Sequence, residues 1–238
     1  MSRRVVGSYG VDALIVPVLS VIGAVAFVAL GYTEVGFPRD FSYVVAALLL
    51  VQIVIYLHTT IRGRFLLWGK VLTDVPAPGR TLDVGCGRGM VLIETLLEFP
   101  DAKGVGLDLW RSRSEKGVAR KILVANATEN RVVDRTSLQI GDMTAMPFPN
   151  ESFDLVTANI AIHDVDHDET GRREAVAEIL RVTRRGGQIR IVDIHYVGEY
   201  RDQLRNLGAV GVKTKSLGIN GWYGNPFYAS RLVSATKK

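Results

Sequence analysis

The chain has 238 residues, of which 47% are hydrophobic and 22% charged, with a formal net charge of +5. That length holds one catalytic domain plus an appendage, and the apolar fraction exceeds what a water-soluble enzyme of this size needs. The single cysteine, Cys86, excludes a disulfide framework and a Cys-based metal centre. The basic residues, among them Arg111, Arg113, Lys116, Arg120, Lys121, Arg172 and Arg173, are scattered without the dense block that would mark a nucleic-acid partner.

The apolar excess sits at the front. Ala13 to Gly31 and Phe41 to Leu57 carry no charged residue. As helices they would reach about 26 to 28 Å, close to the thickness of a hydrocarbon core. They are expected to form a transmembrane hairpin over residues 1–60. Pro17 is tolerable inside a membrane helix, and Tyr32 to Asp40 forms the connecting loop. Arg3 and Arg4 precede the pair and Arg62, Arg64 and Lys70 follow it, whereas the loop offers only Arg39. By the positive-inside rule both flanks are cytoplasmic. Three other readings stay open: a secretory signal peptide at the first segment, two buried helices of a soluble cap or dimer interface, and a hairpin dipping into one leaflet.

Residues 61–80 read as an amphipathic connector, in which Phe65, Leu66, Trp68 and Leu72 lie along the membrane surface or cover a ligand, with Pro76-Ala77-Pro78-Gly79 as its break. From residue 81 onward strands and helices alternate. The strands are Thr81 to Val84, Gly104 to Leu107, Ser137 to Ile140, Phe153 to Asn159 and Gln188 to Ile194. The helices are Met90 to Phe99, Ser114 to Thr128, Gly171 to Val182 and Val197 to Leu207, and Val210 to Leu217 with Tyr228 to Ala235 closes the chain as an antiparallel pair. Such alternation implies a parallel sheet covered by helices.

The first strand runs into Asp83-Val84-Gly85-Cys86-Gly87-Arg88-Gly89. Glycine permits positive φ and lets a ligand approach the backbone without an intervening Cβ, and the helix that follows starts with free N–H groups. A tight strand-to-helix turn without a ligand also favours glycine. Asp108, ending the second strand roughly 20 residues later, lies where doubly wound folds hold ribose hydroxyls. Gly141-Asp142-Met143 follows the third strand. The spacing is Gly-x-Gly-x-Gly, not the Gly-x-Gly-x-x-Gly that seats a dinucleotide pyrophosphate, which disfavours a nicotinamide dehydrogenase.

On these residues, on Pro147-Phe148 to Ser152-Phe153-Asp154, and on Glu178-Ile179-Leu180-Arg181-Val182 with Arg184-Arg185-Gly186-Gly187, the chain resembles class I S-adenosylmethionine-dependent methyltransferases. The branch is the small-molecule one called methyltransferase type 11, and the resemblance covers roughly residues 62 to 238. Arg185 departs from the usual Pro and loosens that turn. The resemblance implies an α/β, Rossmann-like seven-stranded sheet with helices on both faces, spanning residues 81–238 after the membrane hairpin.

It also implies a site. Asp83 with Gly85, Cys86 and Gly87 would shape the loop and meet the methionine moiety, and Asp108 would hold the ribose. Leu109 would pack on adenine, Asp142 would accept from its amino group, Met143 would line that pocket, and Asn159 would face the methyl donor. The base is read from position: His163 follows strand four at the carboxyl edge, where open α/β sheets place ligands, with Asp164 or Asp166 to orient it, and His195 is a second candidate. A packing role for His163 remains open, as does a divalent ion held by this cluster, although no metal-ligand spacing is present. Asn225-Pro226-Phe227-Tyr228 superficially matches a nucleic-acid amino-methyltransferase motif, but it lies too late in the chain and reads as a loop between the last two strands.

The expected function is therefore methyl transfer from S-adenosylmethionine to a small, lipophilic acceptor at the cytoplasmic face of the bilayer. The alternative is a membrane-tethered S-adenosylmethionine-binding scaffold that transfers nothing.

Overall fold

Alternating short apolar strands and amphipathic helices build a single mixed sheet in the computed structural model, which describes residues 5–10, 14–33, 36–110, 118–165 and 169–238. Arg3, Arg4, Glu34, Arg111, Arg113, Lys116 and Asp166 fall outside these residues, as does the expected start of a helix at Ser114. The strands are β1 (Arg80–Val84), β2 (Lys103–Asp108), β3 (Thr136–Ile140), β4 (Phe153–Asn159), β5 (Thr183–Asp193), β6 (Val210–Ser216) and β7 (Arg231–Thr236). Their order is β3-β2-β1-β4-β5-β7-β6. The first five are mutually parallel, and β7 is antiparallel to both β5 and β6. This is a seven-stranded, Rossmann-like sheet, as expected.

Helices α4 (Met90–Glu98), α5 (Val118–Glu129), α6 (Glu169–Val182) and α7 (Val197–Asn206) lie between the strands in sequence. One core cluster joins Leu82, Val84, Val156 and Ile191 of the sheet to Val176 and Ile179 of α6 and Leu204 of α7. A second joins Leu92, Ile93 and Leu96 of α4 to Ala127 of α5. The strands thus carry apolar side chains on both faces, as a parallel sheet covered by helices requires.

Strand β5 begins earlier than expected. Phe153 pairs with Thr183 and Leu155 with Gln188, so residues 184–187 bulge out of register. Gly186 takes φ +74°, and a Cβ on Gly187 would stand 2.8 Å from the Arg184 carbonyl. Arg184 pairs with Asp154 at 2.7 Å and Arg185 with Glu151 at 3.5 Å. The turn expected before strand five is a bulge within it, pinned by two ion pairs.

At the front stand α1 (Ile15–Thr33) and α2 (Arg39–His58). Both are long and apolar enough to cross a membrane by length and composition. Their packing is inverted relative to the sheet. Small and polar residues are inside (Ser20, Ala24, Ser42, Ala46), while Val25 and Val54 are 65% and 68% exposed. Gln52 Nε2 donates to Ser20 Oγ across the pair at 3.2 Å. A single π-helical turn, Thr59–Gly63, carries α2 directly into α3 (Arg64–Leu72), where the connector is expected. Trp68 and Leu72 do not lie on a surface, since both are buried.

The chain divides into two compact units: residues 1–9, 67–216 and 230–238, and residues 10–66 with 217–229. The loop between β6 and β7 thereby groups with the front helices. Within the first unit the N-terminal segment is tied to α5. Val6 N donates to Asn130 Oδ1 and Ser8 N to Asn126 Oδ1, and each amide returns a bond to the carbonyl of the same residue.

Candidate active site

Open parallel sheets leave a crevice where neighbouring crossovers diverge. Here β1 lies between β2 and β4, and a cavity of about 550 Å³ opens at their carboxyl ends. Gly85 after β1, Asp108 and Leu109 after β2, Gly141, Asp142 and Met143 after β3, and Ile160, Ala161, Asp164 and Val165 after β4 line it. Of the expected cofactor residues, Gly85, Asp108, Leu109, Asp142 and Met143 therefore share one cavity wall, and Asp164 joins them.

The loop geometry follows from its glycines. Gly85, Gly87 and Gly89 take φ +68°, +50° and +80°, the left-handed region that side chains disfavour. Gly85 also approaches Ala161 so closely that a Cβ would stand 2.4 Å from its side chain, while the space beside Gly87 is open. Gly85 N donates to the Leu107 carbonyl and Gly87 N to Asp108 Oδ2 at 2.8 Å each. Asp108 is fixed further by Trp110 N at 2.7 Å, and Trp110 Nε1 returns to the Gly87 carbonyl. Asp108 thus links the loop to the end of β2. Each of its oxygens keeps a further lone pair for a ligand hydroxyl. Asp142 Oδ1 accepts from the Thr144 amide and hydroxyl, which holds that carboxylate at the cavity.

Two of the expected cofactor residues are engaged by protein groups. Asp83 is buried behind the loop, where Oδ2 accepts from Leu92 N at the start of α4 and Oδ1 from Thr157 Oγ1 at 2.9 Å. It holds strand, loop and helix together. Burial raises its pKa from 3.8 to about 7, against the lowering effect of those two bonds. Asn159 turns its carboxamide to Trp68 instead of to the cavity, accepting from the indole Nε1 at 2.8 Å. Cys86 is buried, its sulfur packed where a Cβ on Gly106 would stand. Burial pushes its thiol pKa up, so it is a small inert residue here.

The base candidate has a partner the sequence reading did not name. His163 Nδ1 lies 2.6 Å from Asp193 Oδ1, as an ion-pair contact. Asp193, at the end of β5, is fully buried and also accepts from Ile194 N at 2.8 Å and Tyr200 Oη at 3.4 Å. The opposite ring nitrogen, Nε2, is 3.4 Å from Asp164 Oδ1, on the cavity wall. Asp193 raises the His163 pKa above 6.5, outweighing the lowering effect of burial. The carboxylate at Nδ1 is therefore Asp193, and Asp164 stands at the opposite end of the ring. Its signal was present: strands four and five are neighbours, so an acid ending one lies beside a histidine that follows the other. His195 packs edge-on against His163, with ring centroids 5.8 Å apart. Ile160 takes φ +49°, a rare state for a β-branched residue, and is held by its amide bond to the Val192 carbonyl. Among the described residues no cluster of three or more His, Cys, Asp or Glu is arranged to hold a metal.

Comparison with known proteins agrees with this geometry. Residues 82–191 match the family described as a methyltransferase domain. The chain is 31% identical over 123 residues to a demethylmenaquinone methyltransferase of Roseiflexus castenholzii, covering 52% of this chain and 46% of that protein. It is 33% identical over 134 residues to a ubiquinone/menaquinone biosynthesis C-methyltransferase of Dinoroseobacter shibae, covering 55% and 50%. The chain thus spans about half the length of the curated relatives it matches. Among solved structures, geranyl diphosphate C-methyltransferase from Streptomyces coelicolor A3(2), bound to Mg2+, geranyl-S-thiolodiphosphate and S-adenosyl-L-homocysteine, shares the fold. Its TM-score is 0.59 at 16% identity, covering 76% of this chain and 78% of that one.

Proposed function

We propose that this chain, whose residues 82–191 match a methyltransferase domain, is a membrane-anchored, S-adenosylmethionine-dependent enzyme that methylates a small lipophilic acceptor at the cytoplasmic face. The observation that carries this reading is the convergence of the glycine loop, Asp108 and Asp142 on one cavity beside the His163–Asp193 pair.

The residues present suit the cofactor. Asp108 offers a lone pair to ribose hydroxyls, Asp142 to the adenine amino group, and Leu109 and Met143 supply apolar wall for a planar ring. The space beside Gly87 admits backbone approach. Asp83 acts from behind as a positioning residue, capping α4. When bound, S-adenosylmethionine supplies a methyl group on a positively charged sulfur, so the leaving group needs no protonation.

The chain's own tasks are then orientation, exclusion of water and handling of the acceptor's proton. Val165, Ile160 and Ala161 give the cavity an apolar side. A neutral His163 ring with its proton on Nδ1, toward Asp193, leaves Nε2 free to take a proton from a hydroxyl or an activated carbon. Asp193 then stabilises the imidazolium. The buried Tyr200 and the Ile194 amide hold Asp193 in place.

The membrane part rests on the inverted packing of α1 and α2, with small and polar residues inside and large aliphatic ones outside. That is the pattern of helices that face lipid and pack through small residues. Arg62, Arg64 and Lys70 after α2, against Arg39 alone at the start of α2, favour the cytoplasmic side for residues 64–238. The matched relatives are named for demethylmenaquinone and for ubiquinone/menaquinone biosynthesis, which favours a membrane-soluble acceptor.

The test uses full-length protein in lipid nanodiscs. S-adenosylmethionine affinity is measured by calorimetry, and S-adenosylhomocysteine release is followed with a bacterial lipid extract and with a water-soluble metabolite pool. Turnover with the lipid extract and at least tenfold weaker binding in Asp108→Ala are expected. Binding without turnover in either pool would favour the scaffold, and unaltered affinity in both Asp108→Ala and Asp142→Ala would sink the site assignment.

A further inference from the structure

We infer that the loop between β6 and β7, residues 217–229, is a second membrane-contacting element, an aromatic turn held in the interfacial layer of the bilayer beside the end of α2. This rests on the reading of α1 and α2 as membrane-embedded and goes beyond it, because the loop lies far from them in sequence.

The first observation is composition against exposure. Residues 217–229, Leu-Gly-Ile-Asn-Gly-Trp-Tyr-Gly-Asn-Pro-Phe-Tyr-Ala, contain no charged side chain. Nevertheless Ile219 is 52%, Tyr228 55% and Phe227 95% exposed. Large exposed apolar side chains grouped on one loop mark a contact surface. Aromatic rings with a polar edge are the residues that settle at headgroup level.

The second observation is that the turn is built, so its aromatic side chains are presented by a defined backbone. Asn225 Oδ1 accepts from Phe227 N at 2.9 Å and Tyr228 N at 3.1 Å. Tyr223 N donates to the Tyr228 carbonyl at 2.9 Å, and Trp222 bridges Ala229 below the tip. Pro226 fixes its own φ within this turn. Nothing about the fold of the tip requires a phenylalanine at 227.

The third observation fixes the level of the loop. His58 Nε2 lies 3.0 Å from Asn220 Oδ1. Thr59 Oγ1 lies against the carbonyls of Ile219, at 3.2 Å, and of Trp222. A Cβ on Gly63 would stand 2.7 Å from the Asn220 carbonyl, and one on Gly224 3.0 Å from Gln52 Cγ. Tyr223 packs edge-on against Tyr56. The loop therefore runs beside the helix from Gly63 up to Gln52, and Gln52 is about 9 Å inside His58 along the axis. The π-helical turn at Thr59–Gly63 sits where this docking occurs, consistent with the use of such turns at functional positions. Val51 and Val54 on the same helix stretch, and Ile61 beyond it, are also more than half exposed. A lipid surface that meets those side chains reaches the loop at the same level.

The experiment is spin-label accessibility in the full-length chain in nanodiscs, at Phe227→Cys, Val54→Cys and Glu129→Cys. Unmodified protein, whose buried Cys86 gives the background, serves as the blank. At 227 a severalfold preference for oxygen over a water-soluble nickel chelate is expected, in the same direction as at 54 and opposite to 129. A water-like label at 227 with a lipid-like label at 54 overturns the loop assignment and leaves the hairpin standing. Water-like labels at both overturn the loop assignment together with the membrane reading on which it rests. Because Phe227 is almost fully exposed, its replacement leaves the fold intact, and cofactor affinity equal to that of the unmodified protein verifies this.

Discussion

The sheet and the front hairpin use the same residue types in opposite ways. In the sheet Leu82, Leu155, Val156 and Ile189 are fully buried, and of the larger aliphatic side chains only Ile140 and Val210, on the outer strands β3 and β6, are exposed. In the hairpin Val25, Leu48 and Val54 are 65%, 63% and 68% exposed, while Ser42 is fully buried. Hydropathy along the chain therefore says how apolar a segment is, and the size of the residues at each contact says which way it faces. The sheet buries bulk to escape water. The helix pair brings small residues together so that two backbones can pack closely, and leaves bulk outside.

The largest expected difference follows directly. Leu155→Ala removes a fully buried side chain of β4 and should cost about 2–5 kcal/mol of stability. Val54→Ala, at an exposed helix position, should stay within about 0.5 kcal/mol in detergent. Thermal or urea unfolding of the two variants decides it, and equal costs would mean that the outer face of α2 is a buried core.

The second effect lies in the chemistry. Among the sheet's buried ionisable groups Asp193 faces a titratable partner, fully buried against His163. In the proposed role as base, His163 has to be neutral. Its pKa is raised above 6.5, chiefly by Asp193, so the rate should climb with pH through a value above 6.5. Asp193→Asn removes that support while burial continues to lower the pKa, and the acid limb should move down. A general base contributes about 10²–10⁴ in rate, and about a hundredfold loss in kcat is expected with little change in S-adenosylmethionine affinity. An unmoved limb in the pH–rate profile would detach Asp193 from the chemistry.

Much of this architecture was legible before any coordinates. Strand four was placed at Phe153 to Asn159, where it stands, because an apolar run begins after a turn-forming Pro-Asn-Glu-Ser stretch. Asp108 was placed at the site by its position at the end of the second strand after the glycine loop, and Asp142 by the resemblance to the methyltransferases. What escaped were relations set by packing across distant segments. Asp193, inside the strand expected over Gln188 to Ile194, was not singled out, because its partner His163 follows a different strand. Asp83 lies in the glycine motif, but its carboxylate is committed to Thr157 and to the first turn of α4. The wide helical turn at Thr59–Gly63 has no local signal, because its partner, the loop at 217–229, lies far along the chain.

A smaller effect tests how the sheet unit secures its edge. Asn126 on α5 bonds the Ser8 amide and carbonyl and also donates to the Arg88 carbonyl in the glycine loop at 3.1 Å. Asn126→Ala leaves these backbone groups without that partner at a partly hydrated surface, and should cost about 1 kcal/mol. Limited proteolysis should release residues 5–9 first, before global unfolding. Unchanged protection of that segment would show that Asn130 alone suffices.

The smallest effect belongs to the hairpin's own polar contact, Gln52 to Ser20. In water-exposed protein such a bond competes with solvent, and in an apolar surround its alternatives are fewer, which suggests a large contribution. Helix pairs in membranes do not show one, because the separated helices also find partners, and measured couplings average about 0.6 kcal/mol. Ser20 Oγ additionally donates to the Val16 carbonyl of its own helix, so loss of Gln52 leaves it satisfied. Gln52→Leu, Ser20→Ala and the double variant should therefore give a coupling of about 0.6 kcal/mol in reversible unfolding from mixed micelles. A value of several kcal/mol would mean that the hairpin is held by its polar pair, as the sheet's site is, and the contrast between the two regions would narrow to one of shape.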